Sequence, residues 1–417
     1  MDRLLAIVLA GGQGERLYPL TRERSKPSVP FGGKYRLIDF TLSNCINSGL
    51  RKIYVLTQYR SGSLNIHIQE AWGISSSGLE DYIYCVPAQQ KAGLDWYRGT
   101  ADAVRQNLDL VIRQNLDHVL ILSGDHIYKM DYRQLLDFHR RRKADLTLAA
   151  IRVKKEQAIG TFGVLEVAPD NRLVGFEEKP VQPKTIPDAP EYAFASMGVY
   201  VFNIATLRTA LKTSGDDFGK EILPFMMSVS NVFVYDYEKE NKIQDVIVQV
   251  KDGRRENILV DRTRDSSYWR DVGSIDSYYE ASMDLVGIDP VFNLYGQKWP
   301  FRTYHRKVPP SKFVLGGMAQ ESIVSEGCII SGASVRHSIL SPSVVIERDS
   351  GVENSILFDD VIIEPFVRIK RTIIDKEVIV KSGALLGYNF EADKQRGCTI
   401  SDGGIVVVPK GVEIGPD

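Results

Sequence analysis

The sequence predicts an α/β chain in two parts: a mostly parallel sheet covered by helices, then a three-sided parallel β-helix. Three observations carry this. Short apolar runs alternate with longer helix-like stretches up to about residue 285. Pro290, Pro300, Pro309 and Pro310 then punctuate a connecting stretch. Beyond it, β-branched tracts recur at intervals of 17 residues, as from Ser338 to Ser355 to Thr372. The implied parts are 1–285, a linker over 286–312 and the repeats at 313–417.

In order along the chain, the expected strands are Leu4–Leu9, Lys52–Thr57, His118–Leu122, Leu146–Ile151 and Gly198–Phe202. Each is a short apolar run, too brief for a helix of comparable burial. Ala101–Arg113 reads as one helix, with apolar positions at Ala101, Val104, Leu108, Val111 and Ile112. Strands alternating with helices imply a parallel sheet with helices on both faces. Ligands bind such sheets at the carboxyl ends of the strands. In the repeats, Ser338-Ile339-Leu340, Ser355-Ile356-Leu357 and Thr372-Ile373-Ile374 share their phase with Val344-Val345-Ile346, Val361-Ile362-Ile363 and Val378-Ile379-Val380. Ser322-Ile323-Val324 precedes the first set by 16. Three short strands per coil of this length make a three-sided solenoid, each coil burying its face on the next.

Composition narrows the class. With 43% hydrophobic and 25% charged residues and a net charge of −1, neither a nucleic-acid surface nor a basic membrane patch is expected. Cys45, Cys85, Cys328 and Cys398 form no CxxC pair, which argues against a zinc site and suits a reducing cytoplasm. Met1-Asp2-Arg3 before Leu4–Ala10 faintly resembles a leader, but the apolar run ends in Gly11-Gly12-Gln13-Gly14-Glu15-Arg16. A buried strand entering a glycine loop explains it better. No stretch approaches a membrane span.

That glycine loop is the first motif with chemistry. Glycines let backbone N–H groups approach phosphate oxygens, and Arg16 adds a forked cation. Neither a dinucleotide fingerprint nor a Gly-Lys-Ser/Thr loop is present. Lys26, before Pro27, brings a second cation, and two cations at a glycine turn suit a triphosphate. Leu122-Ser123-Gly124-Asp125-His126 ends a strand on an acid placed to hold Mg²⁺, although an Asp there also serves as a helix cap. Asp271, in Tyr268-Trp269-Arg270-Asp271-Val272-Gly273, supplies a second acid; if the two approach, they can hold a metal on a phosphate. In Glu177-Glu178-Lys179-Pro180, Lys179 offers a point charge for a sugar phosphate and Glu178 an acceptor for hydroxyls; a solvated charge run is the plain alternative. Asp217-Phe218-Gly219 looks like a kinase element but has no partner motif, so that reading fails.

No Gly-x-Ser-x-Gly elbow and no His-Glu-x-x-His occurs, and the six histidines form no cluster in the sequence. A nucleophile already anionic at neutral pH, such as a sugar phosphate, needs no general base. Positioning and charge stabilisation then carry the reaction.

With these residues assembled, the whole chain resembles the bacterial ADP-glucose pyrophosphorylases, the glucose-1-phosphate adenylyltransferases. The resemblance rests on Leu9-Ala10-Gly11-Gly12, Phe31-Gly32-Gly33-Lys34-Tyr35-Arg36, Ser43-Asn44-Cys45-Ile46-Asn47-Ser48-Gly49, Pro87-Ala88-Gln89-Gln90 and Trp96–Val104. Gly124–Asp131, Ser196-Met197-Gly198 and Tyr268–Gly273 complete it. It implies a Rossmann-like nucleotidyltransferase domain and a left-handed β-helix of hexapeptide-like repeats serving regulation and oligomerisation. It also implies transfer of AMP from ATP to α-D-glucose 1-phosphate with Mg²⁺, giving ADP-glucose for glycogen synthesis in a cytoplasmic homotetramer.

Residue by residue, the resemblance assigns Gly11, Gly12, Arg16 and Lys26 to the triphosphate, and Gln89, Gly99 and Thr100 to the adenine pocket. Tyr97 falls on the loop that closes over ATP, and Asp125 and Asp271 on the metal-binding acids. Asp125, Arg16 and Lys26 would be catalytic; Gly163, Glu178, Lys179 and Ser196 would hold glucose 1-phosphate. For a phosphorylated effector between the domains the candidates are Arg24, Arg36 and Lys410. One position departs: Glu23 stands where members activated by fructose 1,6-bisphosphate carry a lysine, while Val406-Val407-Val408-Pro409-Lys410 resembles the cyanobacterial and plant branch. A catalytically silent regulatory subunit is the competing reading; retention of Arg16, Asp125, Lys179 and Asp271 speaks against it.

Overall fold

The computed structural model describes residues 3–73, 81–89 and 96–416. Gln90 and Met1-Asp2 lie outside them. The first part is built on a sheet whose one side, running out to an edge, is parallel. It comprises β1 (Leu4–Ala10), β2 (Lys52–Thr57), β3 (Tyr82–Pro87) and β4 (His118–Ser123), in the spatial order β4-β1-β2-β3. The register runs Leu9 to Leu56 and Leu9 to Ser123, so the ends of these strands lie at one level. A short strand β5 (His126–Tyr128) leaves this edge. Next come β6 (Leu146–Lys154), β7 (Gly163–Val167), β8 (Leu173–Glu178), β9 (Tyr192–Asn203) and β10 (Val232–Asp236). Strand β9 runs antiparallel to β4 and carries β6 and β7 beside it. It contains the expected Gly198–Phe202 as its second half. A strand β11 (Trp269–Asp271) pairs antiparallel with β5.

Both sheet faces are covered. Leu4, Ala6 and Val8 pack into one core and Leu5 and Ile7 into the other, the period of two that a strand buried on both faces requires. One helical expectation is corrected. Ala101–Arg113 is two helices, α1 (Thr100–Gln106) and α2 (Leu108–Ile112). Asn107 separates them, its side-chain amide donating to the Ala103 carbonyl and the Tyr97 hydroxyl. Such a side chain competes with the helix backbone and ends it.

After α3 (Ile275–Met283) the chain has no regular element until Lys312, yet it is firmly packed. Phe292, Trp299 and Phe301 are buried. Trp299 Nε1 donates to Asn44 Oδ1 at 2.9 Å, Asn47 Nδ2 to the Pro300 carbonyl at 2.9 Å, and the Arg302 amide to Ser43 Oγ at 2.9 Å. The Ser43–Ser48 motif is thus the seat of this strap.

From Lys312 the chain forms three sheets of short strands, parallel except where Thr399–Ile400 runs antiparallel to Val406–Val408. One runs Ile323, Ile339, Ile356, Ile373, Val407 in register. Its recurring Ser/Thr has a structural use: Ser338 Oγ accepts the Ser355 amide and Ser355 Oγ the Thr372 amide, coil to coil. Corners fall on left-handed residues in three columns: Glu321, His337, Asn354, Arg371; Gly327, Ser343, Asp360, Glu377; Gly332, Asp349, Phe366, Gly383. Ile339, Ile356, Ile373 and Val407 bury against Tyr278 and Tyr279 of α3, joining the two parts through one apolar cluster. Among the described residues no helix is long and apolar enough to cross a membrane.

Candidate active site

Two neighbouring cavities open at the carboxyl ends of β1 and β4. The first, about 310 Å³, is lined by Gly11, Gly12, Gln58, Tyr97, Gly99, Thr100 and Asp125 among others. The second, about 220 Å³, is lined by His126, Gly163, Glu178, Ser196, Asp217, Trp269 and Asp271 among others. Leu9, Thr100 and Ser123 belong to both, so the cavities share a wall. Asp125 faces the first and Asp271 the second.

The acids are brought together by the β5–β11 ribbon, in which His126 stands opposite Asp271 and directly follows Asp125. Lys26 joins them: its Nζ lies 3.0 Å from Asp125 Oδ2 and 2.9 Å from Asp271 Oδ1. The loop that delivers Lys26 depends on Gly14. Its φ is +69°, and a Cβ there would sit 2.9 Å from Lys26 Cβ. Burial lowers the affinity of Lys26 for its proton, but Asp125 and Asp271 outweigh it and hold the ammonium charged. Burial likewise pushes Asp125 up, while Lys26, His126 and the Ser123 hydroxyl bond bring its carboxyl well below the usual range. A charged ion triad results. Arg16 is exposed at the same turn; a Cβ on Gly273 would meet Arg16 Nη2 at 2.9 Å and Asp271 Oδ2 at 3.1 Å.

Among the described residues no cluster of three or more acidic, histidine or cysteine side chains is arranged to hold a metal by itself. The two carboxylates fit Mg²⁺ all the same, because that ion characteristically takes one or two protein carboxylates and completes its shell with substrate phosphates and water.

The first cavity is shaped by contacts the sequence did not announce. Gln58 clamps the Tyr97 backbone, accepting its N–H at 2.9 Å and donating to its carbonyl at 3.3 Å. Gly99 is required by close approach, since a Cβ would lie 2.3 Å from the Asp216 carbonyl oxygen. Thr100 Oγ1 donates to Asp217 Oδ2 at 3.2 Å and accepts the Phe218 amide at 3.0 Å. Asp217-Phe218-Gly219, dismissed as a kinase element, therefore lines the second cavity instead. Gln58 follows a strand with no motif around it, so nothing in the sequence marked it. Gln89 is exposed beyond β3 and is not among the lining residues. Gly163, Glu178 and Ser196 line the second cavity together, while Lys179 is exposed beside it with φ +50°.

Of the three effector candidates, only Arg36 lines the cavity between the two parts, with Lys34, Arg306 and Lys376 and with acids including Asp359 and Glu377. Arg24 is committed elsewhere, bonded twice to Asp375 and once to the Leu20 carbonyl. Lys410 Nζ sits 3.4 Å from Glu377, at one remove from that cavity, and 3.9 Å from Glu23.

Residues 5–287 match the model of the Nucleotidyl transferase family, and residues 309–408 that of the GlmU-like, C-terminal hexapeptide family. The chain is 46% identical over 430 residues to a glucose-1-phosphate adenylyltransferase of Anaeromyxobacter sp. (strain Fw109-5), covering 100% of both chains. It is 45% identical to the enzyme of that name from Corynebacterium jeikeium (strain K411), covering 99% of each. For the Rhodopirellula baltica (strain DSM 10527 / NCIMB 13988 / SH1) enzyme the identity is 44%, over 99% of this chain and 91% of the other.

Proposed function

The chain belongs to the glucose-1-phosphate adenylyltransferases, and from that premise we propose how its residues divide the work of joining ATP to α-D-glucose 1-phosphate, giving ADP-glucose and pyrophosphate. Nucleotidyltransferases of this kind use a divalent metal. We read that metal as Mg²⁺, held by Asp125 and Asp271, where it would neutralise phosphate charge. The observation that carries the division is the shared wall of the two cavities, with one acid facing each.

ATP occupies the first cavity, its base near Gly99 and Thr100 under Tyr97 with Gln89 reaching in from outside the lining, its phosphates on the Gly11-Gly12 backbone with Arg16 and Lys26. Glucose 1-phosphate takes the second, with Gly163, Glu178 and Ser196 around the sugar and Lys179 on the phosphate. A phosphate oxygen of the sugar attacks the α-phosphorus; that bond forms as the bond from the α-phosphorus to the pyrophosphate oxygen breaks. The nucleophile is already an anion, so no base is needed. The side chains align the two phosphates and stabilise charge on the leaving group. Lys26, held charged between the acids, moves with that charge.

The parts divide as 1–285, 286–312 and 313–417, the last serving oligomerisation in a homotetramer within the cytoplasm, where the four free cysteines stay reduced. A phosphorylated metabolite binds between the parts near Arg36, with Lys410 reached through Glu377 and Arg24 behind, and adjusts the committed step of bacterial glycogen synthesis. Glu23 disfavours a bisphosphate there. The test is pyrophosphate release from ATP with glucose 1-phosphate, repeated with UTP and dTTP and with candidate effectors on wild type and Lys410→Ala. Release with UTP in place of ATP, or an effector response unchanged in the variant, overturns the corresponding part.

A further inference from the structure

His126 lines the second cavity beside both acids and has no part in the proposed transfer. Its Nε2 lies 3.6 Å from Asp125 Oδ1 and 3.8 Å from Asp271 Oδ1, facing both acids at once. Its other nitrogen, Nδ1, is closed to solvent and has no hydrogen-bond partner among the described residues. These two facts select a tautomer. A proton on Nδ1 would leave that donor unpaired and aim a lone pair at two carboxylates; a proton on Nε2 points a donor at them. The ring is also fixed in place. It packs edge-on against Trp269, with centroids 5.1 Å apart and planes at 72°. It stands opposite Asp271 across the ribbon, and the hydrogen-only side of Gly198 lies against it, where a Cβ would come 3.8 Å from Cε1.

Lys26 now occupies Asp125 Oδ2 and Asp271 Oδ1. Were the acids to hold a divalent cation, an ammonium in the same gap would be repelled by it and would be free to pair with the phosphates. His126 is then the side chain whose Nε2 still faces both carboxylates. We infer that His126 is a positioning residue for this pair, its Nε2–H aligning both carboxylates on a divalent cation without itself binding the ion. This rests on the reading that Asp125 and Asp271 hold the cation.

The test is binding of Mn²⁺ alone to the full-length enzyme, read from the paramagnetic resonance signal of free Mn²⁺. Wild type, His126→Leu, His126→Gln and Asp125→Asn are compared. Leucine keeps the packing on Trp269 and removes the donor, whereas a glutamine amide reaches the position of Nε2. Loss of a partner that orients a metal ligand typically weakens affinity about 10- to 100-fold, so His126→Leu is expected to fall in that range and His126→Gln to stay within about threefold of wild type. Unaltered binding by His126→Leu with weak binding by Asp125→Asn overturns the inference alone. Unaltered binding by Asp125→Asn overturns the metal assignment beneath it. Equal weakening in both His126 variants shows that the donor is not what matters and also overturns it. Should His126→Leu fail to fold, His126→Ala takes its place and spin-echo modulation of Mn²⁺ on the wild type is added: nitrogen coupling of a directly bound imidazole refutes the proposed role, as does His126→Ala binding that matches wild type, whereas no such coupling together with weakened binding in His126→Ala and near-wild-type binding in His126→Gln supports it.

Discussion

Arg24 and Asp375 meet across the boundary between the two parts of the chain, Nη1 to Oδ2 at 3.0 Å and Nη2 to Oδ1 at 2.9 Å, with side chains 6% and 2% exposed. A paired fork of this kind, removed from water, joins the loop after the glycine turn to the β-helix. Removing one partner of a buried pair strands a charge and costs about 3–5 kcal/mol. Asp375→Asn should therefore lower the thermal midpoint clearly. The double variant Arg24→Met, Asp375→Leu should recover most of the loss, because apolar replacement of both partners is often neutral. A single variant as stable as wild type would show that the tie is slack.

Asp125→Asn should reduce kcat by about 10²–10³, the usual effect of removing one group that stabilises charge in the transition state. The measurement is pyrophosphate release at saturating substrates, with the fold checked by circular dichroism. Turnover within about threefold of wild type would remove Asp125 from the reaction.

Gln58→Leu should raise the KM for ATP by roughly 10- to 30-fold while that for glucose 1-phosphate moves little. Both bonds that hold the Tyr97 backbone disappear, at about 1 kcal/mol each. Equal changes in the two constants would mean that Gln58 supports the site as a whole.

Lys179→Gln should raise the KM for glucose 1-phosphate roughly 10- to 150-fold, the equivalent of about 1.5–3 kcal/mol for a lost charge-assisted bond. The ATP constant and kcat should stay close to normal. Lys179 is exposed beside the second cavity rather than within it, so the side chain must swing inward to make this contact. No change in either constant would leave it in solvent throughout.

His118 and His139 meet edge-on at 5.3 Å, at the end of β4 away from the two cavities, although the six histidines show no grouping in the sequence. Burial first, then the neighbouring His139 and Arg140, pushes His118 down to about 4. An unfolded histidine titrates near 6.5, so between those values the unfolded chain binds more protons than the folded one. Stability therefore falls as pH drops from about 6.5 toward 4. His118→Gln should flatten that slope, measured as thermal midpoints across the range; parallel slopes would assign the acid sensitivity elsewhere.

What the sequence made legible follows from how locally each feature is encoded. The β-helix was readable because its Ser-Ile-Leu and Val-Val-Ile tracts repeat in phase, and burial of a coil on its neighbour demands that repetition. Asp125 was readable because an acid ending an apolar strand stands out. Arg24 was not, since its partner lies 351 residues away and a cation beside a presumed ligand site looks like a ligand contact. Gln58 was invisible for a related reason: its role is to hold the Tyr97 backbone, and a backbone contact leaves no trace in residue type. The break at Asn107 was readable in principle, since the residue favours such interruptions, but the apolar spacing on either side concealed it.

The corner columns of the β-helix make residue count between rungs a hard constraint on how this domain can change. Ile329 and Ile330 pair 16 positions ahead to Val345 and Ile346, whereas Ser334 pairs 17 ahead to Gly351. The missing residue is taken out of the turn between Ser331 and Ser334, so every rung above it keeps its facing. At the far end, Thr372 pairs with Val406 after an excursion that holds the helix Phe390–Gln395, and Ile379 pairs with Glu413 at the same offset of 34, twice 17. A deletion inside a strand would instead turn its inward side chains outward along the rest of the solenoid. Length variation in this domain is therefore confined to turns and to whole-coil steps, and the natural place to graft a tag or an extra loop is the excursion at 387–405.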